Sequence, residues 1–225
     1  MTGVVQSRYT HSQITTWLRG LLAIAWADGH FDDEEKALIA NLIADEVAPQ
    51  ADLDGTTTIT AEALAAVLGK DPDTAENFLR TAVMVAIADG TYSLPEHERL
   101  QQFCTALNVD SPILENLRLT LCDHSDSSPD SSATHYPEHH LTLLTPVQDW
   151  LDHLEVHDPR LARFLCKLIP PQCPFERDIK LFGHKLVHIP PLCKLNPLYE
   201  QLVGLRFRAL SYLADDCGED VSQYC

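Results

Sequence analysis

One phrase occurs twice in this chain, and it limits the fold more than any other feature. Ile24-Ala25-Trp26-Ala27-Asp28-Gly29-His30-Phe31 returns as Val85-Ala86-Ile87-Ala88-Asp89-Gly90-Thr91-Tyr92, and in each copy a glutamate, Glu35 or Glu96, follows the aspartate by seven residues. A repeat of this kind predicts two copies of one supersecondary unit. The unit reads as helix-turn-helix. The apolar run ends a helix, the glycine suits a left-handed C-cap, the aromatic residue anchors the turn, and the acids cap the helix that follows.

The rest of the first 120 residues supports a helical reading. Ile14, Trp17, Leu18, Leu21, Leu22 and Ala25 recur at helical spacing, giving one apolar stripe that has to be buried; this helix is expected to stop near Asp28-Gly29. Asp32 to Glu35 opens a second helix reaching about Val47. Thr60 caps a short helix that Gly69 ends, Asp71-Pro72 starts another, Ser93 to Glu96 forms a capping box, and Ser111-Pro112 begins a helix reaching about Cys122. From Asp123 to His140 the chain is too polar to bury a core and reads as an acidic linker. Thr145-Pro146 and Asp158-Pro159 restart helices, the prolines at 170, 171, 174, 190 and 191 interrupt regular structure, and a final helix runs from Asn196-Pro197 to about Asp215. The fold class is therefore all-α, in three stretches: a repeat domain over 1–122, an acidic Ser/Pro/His linker over 123–143, and a second helical domain over 144–225.

Charge divides along the same lines. Residues 1–120 hold 7 Lys+Arg against 18 Asp+Glu, 121–159 hold none against 8, and 160–225 hold 9 against 7, within a total of −17. Acidic surfaces repel phosphate backbones, so nucleic acid is not expected as a partner and a protein partner is. No apolar run approaches the ~20 residues a membrane span needs, and the N-terminus lacks a secretory pattern, so a cytoplasmic location is expected. Seven cysteines, irregularly spaced, fit reduced thiols or a thiolate site better than a disulfide framework.

Over residues of about 12 to 122, the doubled Ala-Asp-Gly, the turn aromatic and the downstream glutamate resemble the TerB-like family, helical domains associated with tellurite resistance and stress responses. The resemblance implies binding of a divalent cation, Ca²⁺, Mg²⁺ or Zn²⁺, by acids beside the turns. Carried over position by position, these are Asp28, Asp32, Glu35, Asp89 and Glu96, with Ser93 standing where the first copy has Asp32. Two roles fit these residues: helix caps, which account for every one of them, and hard oxygen ligands brought together if the repeats pack face to face. Asp52-Leu53-Asp54-Gly55 lacks the flanking acids of an EF-hand and reads as a polar loop.

From Cys173 to Cys225, the phrases Cys-Pro-Phe-Glu-Arg-Asp-Ile-Lys-Leu-Phe-Gly, His-Ile-Pro-Pro-Leu-Cys-Lys-Leu-Asn-Pro and Tyr-Glu-Gln-Leu-Val-Gly-Leu-Arg-Phe-Arg-Ala-Leu resemble a short, mostly cyanobacterial domain family catalogued as the Mo-dependent nitrogenase C-terminus. Nitrogenase activity is not expected of this chain alone, which has no regular cluster-ligand motif. Cys166, Cys173 and Cys193 with His184 and His188 form a second candidate metal set. On a helix the two histidines, four apart, would share a face, and thiolates could complete a zinc or iron site, although Gly183 and Pro190 disfavour a continuous helix there. Arg206 and Arg208 could pair with an acidic partner, and are expected rather to pair with the chain's own Asp215, Asp216 and Glu219. No phosphate-cradling loop, nucleophile elbow or His-Glu-x-x-His helix is present, so no catalytic residues are assigned. The sequence thus points to a metal-responsive or stress-related adaptor, with a redox or metal-cofactor protein using the C-terminal cysteines as the alternative.

Overall fold

The computed structural model describes residues 7–27, 59–88, 92–109, 112–122, 138–169, 177–181, 184–189 and 197–224; for 122, 138–143 and both strand segments it describes the backbone only. Helix α1 spans His11–Ala25 and opens on a capping box in which Thr10 and Gln13 satisfy each other's backbone N–H groups. Helices α2 (Ala61–Leu68) and α3 (Pro72–Ala86) begin at the expected caps, Thr60 and Asp71, and α2 ends at Gly69. Helix α4 (Leu94–Leu107) opens on the Ser93–Glu96 box and closes on Asn108 in the left-handed conformation. Helix α5 (Pro112–Leu117) continues into a π turn over Arg118–Cys122.

The repeat is visible in the backbone. Helices α1 and α3 end at the equivalent residues Ala25 and Ala86, and their C-caps, Trp26 (φ −98°, ψ 2°) and Ile87 (φ −100°, ψ 5°), have nearly the same dihedrals. The N–H groups of Trp26 and Ile87 reach back to Leu22 and Val83, and those of Ala27 and Ala88 to Ile24 and Val85. The glycines of both turns lie outside the described residues.

Helices α1, α3 and α4 meet around a ladder of aromatic rings. Tyr9 lies 5.1 Å from Trp17, Trp17 5.7 Å edge-on to Phe78, and Phe78 5.7 Å edge-on to Phe103, geometries that the ring quadrupoles favour over face-to-face stacking. Close approach is made possible by Gly20: a Cβ there would stand 2.6 Å from Leu64 Cδ1 and 2.8 Å from the Phe78 ring. Its role is steric rather than conformational.

Helix α6 (Glu138–Asp152) begins upstream of the expected Thr145-Pro146 start and carries Pro146 in its interior. Leu144, Val147 and Leu151, three and four residues apart and almost fully buried, form its core-facing stripe. Helix α7 (Pro159–Leu168) starts on Asp158, as expected. The region expected to lack regular structure instead contains a two-stranded antiparallel hairpin, β1 (Arg177–Leu181) and β2 (His184–Ile189), with a bulge between Ile179 and Lys180. In sequence, Pro174 precedes β1 by three residues and Pro190 follows β2, so neither falls within a strand. Helix α8 (Tyr199–Ser211) passes into a π turn over Tyr212–Asp216 and a 3₁₀ turn at Ser222–Tyr224. Among the described residues the fold is all-α apart from this hairpin. Helix α6 packs on α3 and α5, α7 on α1, and α8 on α7, so one buried core runs from Tyr9 to Tyr224. No helix among the described residues is long and apolar enough to cross a membrane.

Candidate functional site

The connection between α6 and α7 is the part of the chain where both halves of the molecule meet. Its residues alternate as an extended segment does: Leu154, Val156 and Asp158 are buried, while Glu155 is exposed and His157 half-buried. Buried Asn77 of α3 serves as its pairing partner. The Asn77 amide donates to the Glu155 carbonyl at 2.8 Å and accepts from the Glu155 N–H at 2.9 Å, while also donating to the Tyr9 hydroxyl at 3.2 Å. The Arg8 N–H reaches the His157 carbonyl on the same segment. One side chain thus does for a single residue what a neighbouring strand would do.

Two buried charges hold the C-terminal part together, Asp158 at the end of this junction and Arg206 on α8. Asp158 is fully buried and accepts from the N–H groups of Arg160 (2.8 Å) and Leu161 (3.2 Å), the Arg160 guanidinium (2.8 Å) and the Ser7 hydroxyl. Burial alone would raise its carboxyl, but the Arg160 and Ser7 hydrogen bonds outweigh that and hold it below the usual range. Arg206, also buried, donates to the carbonyls of Cys166, Ile169 and Tyr224, tying α7 and the C-terminal turn to α8. Arg208 donates to the Asp152 carbonyl at 3.0 Å, and Glu219 pairs with Arg163 at 2.5 Å. The expected pairing of Arg206 and Arg208 with nearby acids is therefore replaced by backbone carbonyls, which a planar guanidinium fork can satisfy in groups. Arg80 joins the same junction, donating to Glu76 at 2.7 Å and the Trp150 carbonyl at 2.9 Å, with its guanidinium 5.5 Å from the Trp150 ring.

Above this junction lies a groove of about 580 Å³ between the 154–157 connection and the end of α8. Leu154, Val156, Phe207 and Tyr212 give it apolar walls, and Glu155, Asp215 and Asp216 its acidic side. Phe207 is 67% exposed and Val203, one turn earlier, 45%. A Cβ added at Gly204 between them would meet no atom within 4 Å. A larger open groove of about 920 Å³ lies between α2 and α4, lined by Ile59 and alanines together with Glu62, Glu98, Arg99 and Gln102.

Of the acids assigned to the repeat turns, Asp28, Asp32, Glu35 and Asp89 lie outside the described residues, as does the Asp52–Gly55 loop. Glu96 is buried and its carboxylate accepts from both the N–H and the hydroxyl of Ser93 at 2.8 Å, so its capping role is realised. Beside it, the Tyr92 hydroxyl lies 3.1 Å from His97 Nδ1, and burial pulls the His97 imidazole below its ordinary value. Of the C-terminal set, Cys173 and Cys193 are outside the described residues and Cys166 is buried on α7. His184 and His188 lie on β2, not on one helical face; four residues of strand span about 13 Å, against about 6 Å along a helix. No group of three or more His, Cys, Asp or Glu able to hold a metal occurs among the described residues. Burial pushes the Cys104 thiol up to about 12 and raises that of Cys217, which keeps both in the unreactive protonated form at neutral pH.

Residues 143–225 match a protein-family model described as Mo-dependent nitrogenase C-terminus. The match covers α7, the hairpin, α8 and most of α6, and reaches further upstream than Cys173, where the sequence phrases begin. No curated protein matches the chain, and no solved structure does.

Proposed function

We propose that this chain is a non-catalytic adaptor whose C-terminal part docks a partner protein while the N-terminal repeat responds to a divalent cation or a second partner. The observation that carries the reading is the apolar face of α8, where Phe207 and Val203 stand exposed on one side of a helix whose other side is core. A large aromatic residue left in water forgoes roughly 1.5–3 kcal/mol of burial, and exposed apolar surface beside polar residues is characteristic of interaction sites. The cation half rests on the TerB-like resemblance of residues of about 12 to 122, with Asp28, Asp32, Glu35, Asp89 and Glu96 as its ligands. Tellurite or stress response, a cytoplasmic setting and the absence of nucleic-acid partners belong to the same reading.

The docking half is tested by quantitative pull-down from native cells with the full chain and with Phe207→Glu. A protein retained by the first and lost by the second is the expected result; identical retained sets would overturn it. The cation half is tested by calorimetric titration of chelator-treated protein with Ca²⁺, Mg²⁺ and Zn²⁺, and neither heat nor a melting shift with any ion would remove it. The redox or metal-cofactor alternative requires bound zinc or iron, or visible absorbance, in protein purified without oxygen.

A further inference from the structure

We propose that the groove beside Phe207 receives a cationic amphipathic segment of a partner protein, with apolar side chains against Val203 and Phe207 and lysines or arginines over Asp215 and Asp216. This deepens the adaptor reading above and rests on it. Val203 and Phe207 are one turn apart on α8, the spacing with which one helix face meets an apolar face of another chain. Gly204 leaves the backbone between them open to close approach.

Charge decides what kind of segment fits. Among the acids at the groove, Glu155 is shared with Arg8 and His157 at 3.4 and 2.7 Å, whereas Asp215 and Asp216, both exposed, enter no ion pair among the described residues. Arg208, which also lines this groove, is half-buried and donates to the Asp152 carbonyl, with its Nε buried. Three carboxylates, Glu155, Asp215 and Asp216, face one guanidinium, Arg208, in the lining, so the charge balance beside Phe207 is negative. A second copy would place its own Asp215 and Asp216 near this face and carries a net −17 overall, so it is opposed by like charge, as an anionic lipid surface is. A cationic segment gains attraction on approach and contact once seated.

The test uses the full chain and three fluorescent helical peptides of one length, sharing a leucine face but carrying Lys, Gln or Glu on the other. Anisotropy titrations are expected to show the Lys peptide binding about tenfold or more tighter than the Gln peptide, with the Glu peptide weakest. Phe207→Ala should weaken the Lys peptide about tenfold, whereas Leu94→Ala, which removes another exposed apolar side chain far along the sequence, should leave it unchanged. Asp215→Lys with Asp216→Lys should reverse the order of the Lys and Glu peptides. Equal binding by the native protein, Phe207→Ala and Leu94→Ala would reduce the effect to bulk charge and overturn the proposal. So would a Gln or Glu peptide binding best, or a dimer in light scattering that Phe207→Ala dissolves, since the occupant would then be a second copy. A Phe207-dependent partner from cells together with no Lys-peptide binding would leave the adaptor reading standing and this inference rejected.

Discussion

In the N-terminal part, Tyr9, Trp17, Phe78 and Phe103 fill the space between helices, and the acids and hydroxyls sit at helix ends. In the C-terminal part, a carboxylate and a guanidinium are sunk into the core, Asp158 at the start of α7 and Arg206 on α8. The contrast follows from what each region has to join. Helices α1, α3 and α4 bury apolar stripes against one another, whereas the end of α7 and the last turn present backbone carbonyls that the Arg206 fork on α8 collects. Apolar packing is insensitive to pH, and buried charge is not.

The sharpest way to break this contrast is to compare Phe78→Ala with Asp158→Ala. Each should cost about 3–5 kcal/mol in urea unfolding at neutral pH, the first through a cavity and the second by leaving the Arg160 side unpaired. They should separate in acid. The folded-state carboxyl of Asp158 lies below its ordinary value of about 3.9. Its contribution is therefore fully present above that pH and lost as pH falls through the lower, folded value. The Asp158→Ala penalty should shrink there and the Phe78→Ala penalty should not. Equal penalties down to the acid transition would show that Asp158 acts by packing alone.

Asn77→Ala addresses the seam between the two parts. It leaves the Glu155 N–H and carbonyl without their partner, at a cost of about 1–3 kcal/mol. Because the seam is what fails, hydrogen exchange should speed up at 154–158 before it does in α1 or α4; uniform acceleration would mean that the pairing is not local to the junction.

How far these features could be read from the sequence depends on how far apart the partners are. Thr60, Asp71, Ser93 and Asp158 were legible as caps because a cap is chemistry within three residues. Asn77 bonds a residue 78 positions away and Arg206 residues 37 and 40 away, so nothing local marks either one. The hairpin is hard to see in the sequence because prolines at 170, 171, 174, 190 and 191 flank it, although His-Lys-Leu-Val-His-Ile carries strand-forming Val and Ile. The exposed apolar face of α8 does leave a trace: Leu202, Leu205 and Ala209 lie on its core side and Val203 and Phe207 opposite. Apolar residues on two sides of a helix next to a charged turn are a signal of two contacts.

A smaller effect distinguishes the regions by pH from the other direction. His97 is buried in the N-terminal part and its imidazole is pulled below its ordinary value of about 6.5, burial being the main cause, with Glu115, Arg118 and Glu98 acting on it electrostatically. The unfolded chain takes up the proton first. Stability contributed by neutral His97 is thus present above about pH 6.5 and declines on acidification below it, by at most about 1.4 kcal/mol per pH unit, until the folded value is passed. His97→Gln should flatten the urea midpoint between pH 6.5 and 5, while Asp158→Ala should leave that slope intact. If both variants keep the slope, another group sets it.

The smallest expected effect separates the two roles open to Glu96. Its carboxylate already accepts from the Ser93 N–H and hydroxyl, and a capping box works with glutamine as well as glutamate at this position. Glu96→Gln should therefore change stability by only a few tenths of a kcal/mol, whereas Ser93→Ala, which removes the cap itself, should cost about 1 kcal/mol. The charge is what a cation would need and a cap would not. Calorimetry with Ca²⁺, Mg²⁺ and Zn²⁺ on Glu96→Gln then divides the cases: unchanged heats leave Glu96 a cap in a part of the molecule held by packing. Heats abolished at nearly native stability would place a functional charge at the second turn, and the contrast between an apolar N-terminal part and a charge-clamped C-terminal part would have to be redrawn around it.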